Sequence, residues 1–147
     1  MFDMAIDPGK NGGIAIIGGD YAKAFECPDS PPEMANIVRE YVVRYGSAQC
    51  RCVIEKVHSM PGNGVKSMFS FGRNYGQWLG ILSALHIPFK EIPPGVWMRK
   101  ISGVPKDKPT RKRYFKTYSQ QMFPLCRVTL ATADALAMLS VFDRCWK

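Results

Sequence analysis

The sequence predicts one α/β domain in which a mixed central sheet is flanked by helices. Three short β-prone runs separated by glycine-rich turns open the chain, which is typical of an antiparallel meander. Stretches with a helical period then alternate with further short apolar runs, which favours additional strands that join the sheet in parallel. A length of 147 residues suits a single domain with a substantial core.

The individual elements follow from local composition. Five β-prone runs are expected to form strands, over 2–7, 13–17, 22–27, 51–57 and 87–92. Four stretches with apolar residues at helical spacing are expected to form helices, over 33–45, 65–85, 110–122 and 131–145. A short helix or turn is expected over 93–100, followed by a basic loop over 103–108.

The predicted 65–85 helix carries a row of glycines. Gly72, Gly76 and Gly80 lie one turn apart on one side of it. Glycine lets another surface approach a helix closely, although each glycine costs about 1 kcal/mol of helix stability relative to alanine. We expect this side to pack against the sheet, and a seam between two subunits is the alternative.

The composition is that of an ordinary soluble globular protein, with 46% hydrophobic and 22% charged residues. No secretory signal or membrane-spanning helix is predicted, because the apolar stretch 12–19 is short and Asp20 follows it. Five cysteines without a CxxC pair predict reduced thiols in a cytoplasmic protein rather than a zinc site.

The net charge of +8 is concentrated in one segment. Its basic residues are Arg99, Lys100, Lys106, Lys108, Arg111, Lys112, Arg113 and Lys116, against Asp107 alone. Such a run is often only a solvated face. With Trp97 and Tyr114 in the same segment, it indicates a surface that binds the phosphate backbone of a nucleic acid. A membrane surface is disfavoured, because no strongly amphipathic apolar face accompanies the cluster.

Three acidic residues stand at positions that catalysis can use. Asp7 and Glu55 each end an apolar run, and Asp134 begins an apolar helical stretch. Carboxylates that a fold brings together repel one another, and a hard divalent cation is the usual remedy. An acidic centre in a basic surround suits an enzyme that cuts a polyanion. The simpler alternatives are a turn cap for Asp7, a salt bridge for Glu55 and a favourable helix-dipole position for Asp134.

Several motifs occur in a recognisable order along the chain. They are Ala5-Ile6-Asp7-Pro8-Gly9 with Gly12-Gly13, Val53-Ile54-Glu55, Phe69-Ser70-Phe71-Gly72-Arg73-Asn74-Tyr75-Gly76 with Trp78-Leu79-Gly80, Pro93-Pro94-Gly95-Val96-Trp97, Lys106-Asp107-Lys108 and Ala133-Asp134-Ala135-Leu136. Their order and spacing resemble those of the RuvC-type Holliday junction resolvases of bacteriophages. The resemblance implies a single RNase H-like nuclease domain over 1–147. It also implies a homodimer that cleaves four-way junctions, with other branched DNA as a further class of substrate.

The resemblance also implies which residues do the chemistry. Asp7, Glu55 and Asp134 would bind Mg²⁺ or Mn²⁺ and catalyse phosphodiester hydrolysis at a two-metal site. Lys106 and Lys108 resemble a basic loop near the family's active site, where a lysine stabilises the pentacovalent phosphate or positions the nucleophile.

Two parts of the sequence depart from the pattern of these relatives. His58 stands where relatives place an aromatic residue that stacks on a junction base, and a histidine stacks more weakly. Relatives usually carry a fourth acidic or histidine ligand three or four residues before the last aspartate. This chain has Ala131 and Leu130 there, which puts full occupancy of two metal positions in doubt.

Two alternative functions remain open from the sequence, and a third is disfavoured by its length. A junction-binding protein with weak or no catalysis is consistent with the missing fourth metal ligand. An RNA-processing nuclease would have the same fold. A nucleotide-binding ATPase of the sugar-kinase type needs a duplicated second domain, for which 147 residues do not suffice. We therefore expect branched DNA as the partner, no nucleotide cofactor, no membrane partner and a cytoplasmic location.

Overall fold

The computed structural model describes residues 1–19, 21–58, 62 and 64–147. Its centre is a five-stranded sheet of β1 (Phe2–Asp7), β2 (Gly13–Gly18), β3 (Tyr21–Glu26), β4 (Cys50–Glu55) and β5 (Phe89–Ile92). The strand order is β3-β2-β1-β4-β5. The first three strands pair antiparallel, whereas β4 joins β1 and β5 joins β4 in parallel. The predicted mixed sheet is confirmed.

Six α-helices flank this sheet within the described ranges. They are α1 (Pro31–Tyr45), α2 (Val65–Ala84), α3 (Pro94–Met98), α4 (Lys108–Met122), α5 (Ala133–Ser140) and α6 (Phe142–Trp146), with a 3₁₀ turn at Ser47–Gln49. The predicted strand over 51–57 ends earlier, at Glu55, which is the last residue of β4 to pair with β5.

The single helix predicted over 131–145 is wrong, because the structure has two helices that meet at Val141. The hydroxyl of Ser140 donates to the carbonyl of Ala137 at 2.7 Å. That carbonyl is the acceptor which the N–H of Val141 needs for the next helical turn, and the N–H bonds to Met138 instead. The hydrogen bond from the Ser140 hydroxyl therefore occupies the Ala137 carbonyl at the point where the helix is interrupted.

The sheet separates two hydrophobic cores. One face packs against α1 and α2, and its buried residues include Met4, Ile6, Ile14, Ile54, Val38, Trp78 and Leu82. The other face packs against α4 and α5, and its buried residues include Ala5, Ala15, Val53, Trp97, Phe115 and Leu136. Side chains alternate between the two faces along a strand, so each residue lies on the same face as the residue two positions before it. The last residues of β1 and β4 therefore lie on the face of Ala5 and Val53, which belong to the second core.

A glycine on β2 lets the turn before α5 lie against the sheet. Gly13 pairs with Asp7 across the β1–β2 ladder. A Cβ atom at Gly13 would lie 2.8 Å from the carbonyl oxygen of Phe25, 3.0 Å from that of Ala131 and 3.2 Å from the Cα of Thr132. The sheet and this turn therefore meet closely beside Asp7.

The glycine row of α2 faces away from the sheet. Gly72, Gly76 and Gly80 are exposed, and a Cβ atom on any of them would meet no atom within 4 Å. The helix turns Trp78 and Leu82, which lie on its other side, into the core. The expectation that the glycine row packs on the sheet is wrong, and the subunit seam stays a prediction.

All five cysteines are free thiols, as predicted, and three of them (Cys27, Cys50 and Cys52) are buried. Among the helices of the described residues, none combines the length and the apolar character needed to cross a bilayer.

Replacement of Gly13 by alanine should destabilise the fold, because the added methyl group would crowd three backbone atoms. We expect a loss of about 1–3 kcal/mol in the free energy of unfolding, measured by urea denaturation. Gly95→Ala on α3 is the matched control, since its methyl group would meet only the Arg99 side chain, at 3.9 Å, and should change stability by less than about 0.5 kcal/mol. A Gly13→Ala variant as stable as the parent protein would contradict the close approach of the turn.

Candidate active site

Two of the three predicted acids end the two central strands. β1 and β4 pair in parallel with Ile6 opposite Ile54, so the next residues, Asp7 and Glu55, end the strands side by side. Ala5 and Val53, two residues earlier, belong to the core under α4 and α5. Alternation therefore places both carboxyl groups on that face, at the spacing of adjacent strands, about 4.8 Å.

The third acid reaches the same place from α5. This helix begins at Ala133 and contacts both β1 and β2, and Asp134 is in its first turn. The close approach at Gly13, opposite Asp7, sets the start of the helix against the end of β1. A carboxylate in the first turn also interacts favourably with the helix dipole. The fold therefore brings all three predicted acids to one end of the sheet.

Burial and mutual repulsion disfavour ionisation at this site. Loss of hydration raises the pKa of Asp7 well above its ordinary value, and the charges of Glu55 and Asp134 raise it further. Burial raises the pKa of Glu55 to about 7; the Trp97 indole N–H opposes this rise, and Asp134 adds to it. A cation among these groups would stabilise their charged forms.

A buried tryptophan positions Glu55. The indole Nε1–H of Trp97, on α3, donates to Oε2 of Glu55 at 2.8 Å. Its fully buried ring packs against Phe115 of α4, with 5.0 Å between ring centroids. Sequence reasoning missed this link, although a buried indole N–H usually requires an acceptor. Among the described residues Glu55 forms no ion pair, so a simple surface salt bridge is not its role in this structure.

One cation of the chain itself contacts the acids. The Nζ of Lys112, on α4, lies 3.1 Å from Oδ2 of Asp134 and also donates to the carbonyl of Leu130 at 3.3 Å. The other oxygen of Asp134, Oδ1, is buried and accepts no hydrogen bond from the described residues. Asp134 therefore has one partnered oxygen and one unpartnered oxygen.

The donor set suits a hard divalent cation. Asp7, Glu55 and Asp134 offer only carboxylate oxygens, which Mg²⁺ and Mn²⁺ prefer, and the unpartnered Oδ1 of Asp134 is available as a ligand. Within the described part of the chain, no group of three His, Cys, Asp or Glu side chains is already arranged to hold a metal ion. The three acids interact through their charges, while Lys112 makes the direct ion pair. Metal binding therefore stays a prediction.

The turn after Asp7 is held by α2. Gly9 has a φ of +115°, and its N–H donates to Oδ1 of Asn74 at 2.8 Å. A Cβ atom at Gly9 would also meet the ring of Phe71 at 2.9 Å, so glycine is required for two reasons. The N–H of Gly12 closes the turn onto the carbonyl of Gly9 at 3.0 Å. Asn74 is thus a positioning residue that the sequence showed only as part of a motif.

The predicted basic residues lie on α4 and on the segment between α3 and α4. Those that are exposed are Arg99, Lys106, Lys108 and Arg113, and those that are partly buried are Lys100, Arg111, Lys112 and Lys116. In the described chain, neither Lys106 nor Lys108 forms an ion pair with the three acids. Their catalytic role stays a prediction.

Two details organise the start of α4. Asp107 caps the helix, since its Oδ2 accepts the N–H of Thr110 at 3.0 Å. Arg111 donates to the carbonyl of Lys106 at 3.1 Å. Lys112 differs from its neighbours on α4, because its ammonium is directed to Asp134 rather than to the surface.

His58 is exposed and lies three residues beyond β4, and its predicted stacking role also stays a prediction.

A polar groove beside the Asp7 turn was not predicted. It has a volume of about 600 Å³ and lies between the β1–β2 turn, the segment after β3 and the first half of α2. Three basic residues line it, Lys10, Lys66 and Arg73, against the single acid Asp29. The feature of the sequence that could have indicated this groove is Lys10, which directly follows the Asp7-Pro8-Gly9 motif.

The complete architecture is similar to solved structures of RuvC from Thermus thermophilus. The structure of T. thermophilus RuvC in complex with a Holliday junction substrate matches with a TM-score of 0.63 and 14% identity, over 99% of this chain and 96% of that chain. The chain has a RuvC-like fold. A second T. thermophilus RuvC structure matches with a TM-score of 0.59 and 15% identity, over 99% and 97% of the two chains. The agreement with these two structures confirms the predicted RNase H-like architecture.

No family model matches the sequence, and no curated protein matches it.

Replacement of Glu55 by glutamine should stabilise the metal-free protein at pH 8. The folded state binds the Glu55 proton more tightly than the unfolded state, so stability falls as the pH rises from 4.5 to about 7. Glutamine removes that loss and still accepts the Trp97 N–H. We expect a gain of about 1–3 kcal/mol at pH 8 and little change at pH 5, by urea denaturation with chelator. Glu26→Gln, at the exposed end of β3, is the control. Equal effects at both pH values would contradict the burial of an ionisable Glu55.

Proposed function

We propose that this protein is a metal-dependent, structure-selective endodeoxyribonuclease that cleaves four-way junctions and other branched DNA by paired phosphodiester hydrolysis. One observation carries the proposal. Asp7, Glu55 and Asp134, which are far apart in sequence, meet at one end of the central strands next to the basic helix α4. The RuvC-like fold supports the substrate class, since one structure with this fold is a complex with a Holliday junction.

The proposed site uses Asp7, Glu55 and the unpartnered Oδ1 of Asp134 to hold Mg²⁺ or Mn²⁺. Bound there, such an ion would supply activation of the attacking water and stabilisation of the leaving oxygen of the phosphodiester. Trp97 holds the Glu55 carboxylate in a fixed orientation, which reduces the reorganisation needed when the ion binds.

Two basic surfaces flank the acids and would hold the DNA backbone. The exposed residues of the α4 region, Arg99, Lys106, Lys108 and Arg113, lie on one side. The groove with Lys10, Lys66 and Arg73 begins at the turn after Asp7. Phosphate contacts position a duplex without reading its sequence, which suits recognition of a branched shape.

A homodimer completes the proposal. Resolution of a four-way junction requires two symmetric cuts, and a two-fold dimer supplies two sites in that relation. The exposed side of α2 is the candidate seam, since it combines the glycine row with Phe69, which is 72% exposed. A cytoplasmic location, where such DNA is found, belongs to the same proposal.

Asp7→Asn should abolish cleavage and retain junction binding, because it removes an ionised metal ligand without changing the basic surfaces. We expect at least a 100-fold fall in the cleavage rate of a labelled four-way junction in Mg²⁺ or Mn²⁺, and no cleavage by either protein in chelator. Asp143→Asn is the matched control, since that carboxylate is exposed and lies near Arg51 at the start of β4. An Asp7→Asn variant that cuts at the parental rate would contradict the site.

Removal of Arg99 and Arg113 together should weaken junction binding and flatten its salt dependence. Each lost phosphate contact is expected to reduce the slope of log affinity against log salt by about 0.9. Arg39→Ala on α1, over the opposite face of the sheet, is the control and should leave the slope unchanged. If the double variant kept the wild-type slope of log affinity against log salt, the DNA would have to bind elsewhere on the protein.

A catalytically weak or inactive junction-binding protein is the second candidate. The Lys112–Asp134 ion pair favours it, as does the lack of a preformed group of metal ligands among the described residues. Incubation of the wild-type protein with a four-way junction, a fork and a linear duplex, each with Mg²⁺, Mn²⁺ or chelator, separates the candidates. Tight junction binding without cleavage in any metal would favour the second. A matched RNA junction tests the RNA-processing alternative.

A further inference from the structure

We propose that the polar groove between the β1–β2 turn and α2 binds a short unpaired stretch of a DNA strand. The protein therefore selects branched DNA in which the nucleotides beside the cleaved bond are single-stranded. This inference rests on the proposed nuclease function, and it narrows the backbone contact proposed for the groove to one strand. The paired arms of the substrate lie against the exposed cations of the α4 region.

The groove is preformed, because one side chain ties its three walls together. Asn74 of α2 accepts the N–H of Gly9, in the β1–β2 turn, through Oδ1 at 2.8 Å. Its Nδ2 donates to Sγ of Cys27, in the segment after β3, at 3.3 Å. The N–H of Cys27 also donates to the carbonyl of Gly12 at 3.0 Å. A ligand that enters such a groove orders few protein groups, so little of its binding free energy is lost to that ordering.

The cations of the groove are unpaired. Lys10, Lys66 and Arg73 are exposed, and none of them forms an ion pair with another of the described residues. Asp29, the acid of the described lining, is also without an ion pair. Like charges around one concave surface reinforce each other's potential, and the phosphates of a nucleic acid would relieve their repulsion. The groove therefore suits a ligand with repeated negative charges.

The neutral lining suits bases rather than phosphates. Asn11, Gln77, Ser67 and Ser70 bring side chains that both donate and accept hydrogen bonds. Phe71 adds a partly buried aromatic ring, on which a base can stack. Cations along a backbone combined with an aromatic stacking surface are the usual features of a single-strand site. A duplex keeps the faces of its bases stacked inside, so only an unpaired strand can use this ring.

The size of the groove agrees with a single strand. Its volume of about 600 Å³ falls within the range of about 300–1,000 Å³ that is usual for sites enclosing a small molecule. Such a space encloses a few nucleotides of one strand. A duplex has a convex surface and would lie across the mouth of the groove without filling it.

The groove begins close to the three acids. Lys10 follows Asp7 by three residues, so the Cα atoms of the two lie at most about 11 Å apart. The Asp7 carboxyl group is on the face of Ala5, under α4 and α5, whereas the groove is on the side of α2. A strand with one phosphate at the acids therefore has to pass only the β1–β2 turn to enter the groove. The nucleotides that enter are those next to the cleaved bond.

Binding measured in chelator tests the groove without any cleavage. By fluorescence anisotropy, Lys66→Ala combined with Arg73→Ala should weaken binding of a labelled oligothymidylate at least about tenfold. The slope of log affinity against log salt should fall by about 1.4, since each lost contact with a single strand contributes about 0.7. Affinity for a duplex of equal length should change less than about twofold, because the paired arms lie elsewhere.

The matched control removes two charges from another surface. Arg39→Ala combined with Arg44→Ala, both exposed on α1, should leave oligothymidylate binding unchanged. Equal losses for the single strand and the duplex in the groove variant would overturn the inference, because they would show a general phosphate contact.

A second probe needs no variant. An abasic strand of equal length keeps the phosphates and lacks the bases, so the wild-type protein should bind it at least about fivefold more weakly than oligothymidylate. Equal affinity for the two strands would mean that phosphates alone are bound, and it would overturn the inference.

Cleavage separates this inference from the nuclease function. In Mg²⁺ or Mn²⁺, a junction with unpaired nucleotides at its branch point should be cut at least about fivefold faster than a fully paired one. The groove variant should lose this preference. A protein that binds oligothymidylate through the groove but cuts nothing would refute the nuclease function and preserve the single-strand site. A protein that cuts both junctions at one rate and binds the single strand no better in the wild type than in the groove variant would refute the single-strand site and preserve the nuclease function.

Discussion

The parallel pairing of β1 with β4 is the constraint on which the site depends. Because Ile6 is opposite Ile54, the following residues end neighbouring strands and their carboxyl groups share one face. A shift of one residue in this register would send one of the acids to the opposite face of the sheet. The two hydrophobic cores prevent such a shift, since it would also move alternate residues of a central strand into the wrong core. The packing that stabilises the fold therefore also fixes the first two acids.

The acids themselves oppose folding. Buried carboxyl groups that repel one another lose hydration without gaining a full set of partners, and their raised pKa values reflect this cost. The indole of Trp97 and the ammonium of Lys112 offset part of it, each through a direct contact with one acid. Both contacts come from elements that follow β5 in the chain. The half of the protein that follows β5 thus supplies the partners of two acids, Glu55 at the end of β4 and its own Asp134.

Much of this fold could be predicted from the sequence, because its signals are local. The strands that end in Asp7 and Glu55 are short apolar runs closed by an acid, and Asp134 marks the start of a helix. Features that depend on distant residues were missed. The partnership of Trp97 with Glu55 spans 42 residues, and that of Lys112 with Asp134 spans 22. The glycine row of α2 was assigned to the wrong side, because small residues alone do not show which surface meets a helix.

The opposite end of α5 is also fixed. Arg51 makes two hydrogen bonds of 2.9 Å with Asp3, and its guanidinium lies over the rings of Phe142 and Trp146 of α6, at 5.0 and 5.4 Å from their centroids. With only eight residues, α5 is a stiff rod about 12 Å long, held by Gly13 near one tip and joined at the other to α6 under Arg51. The helix that carries Asp134 is thus attached to the sheet at both of its ends.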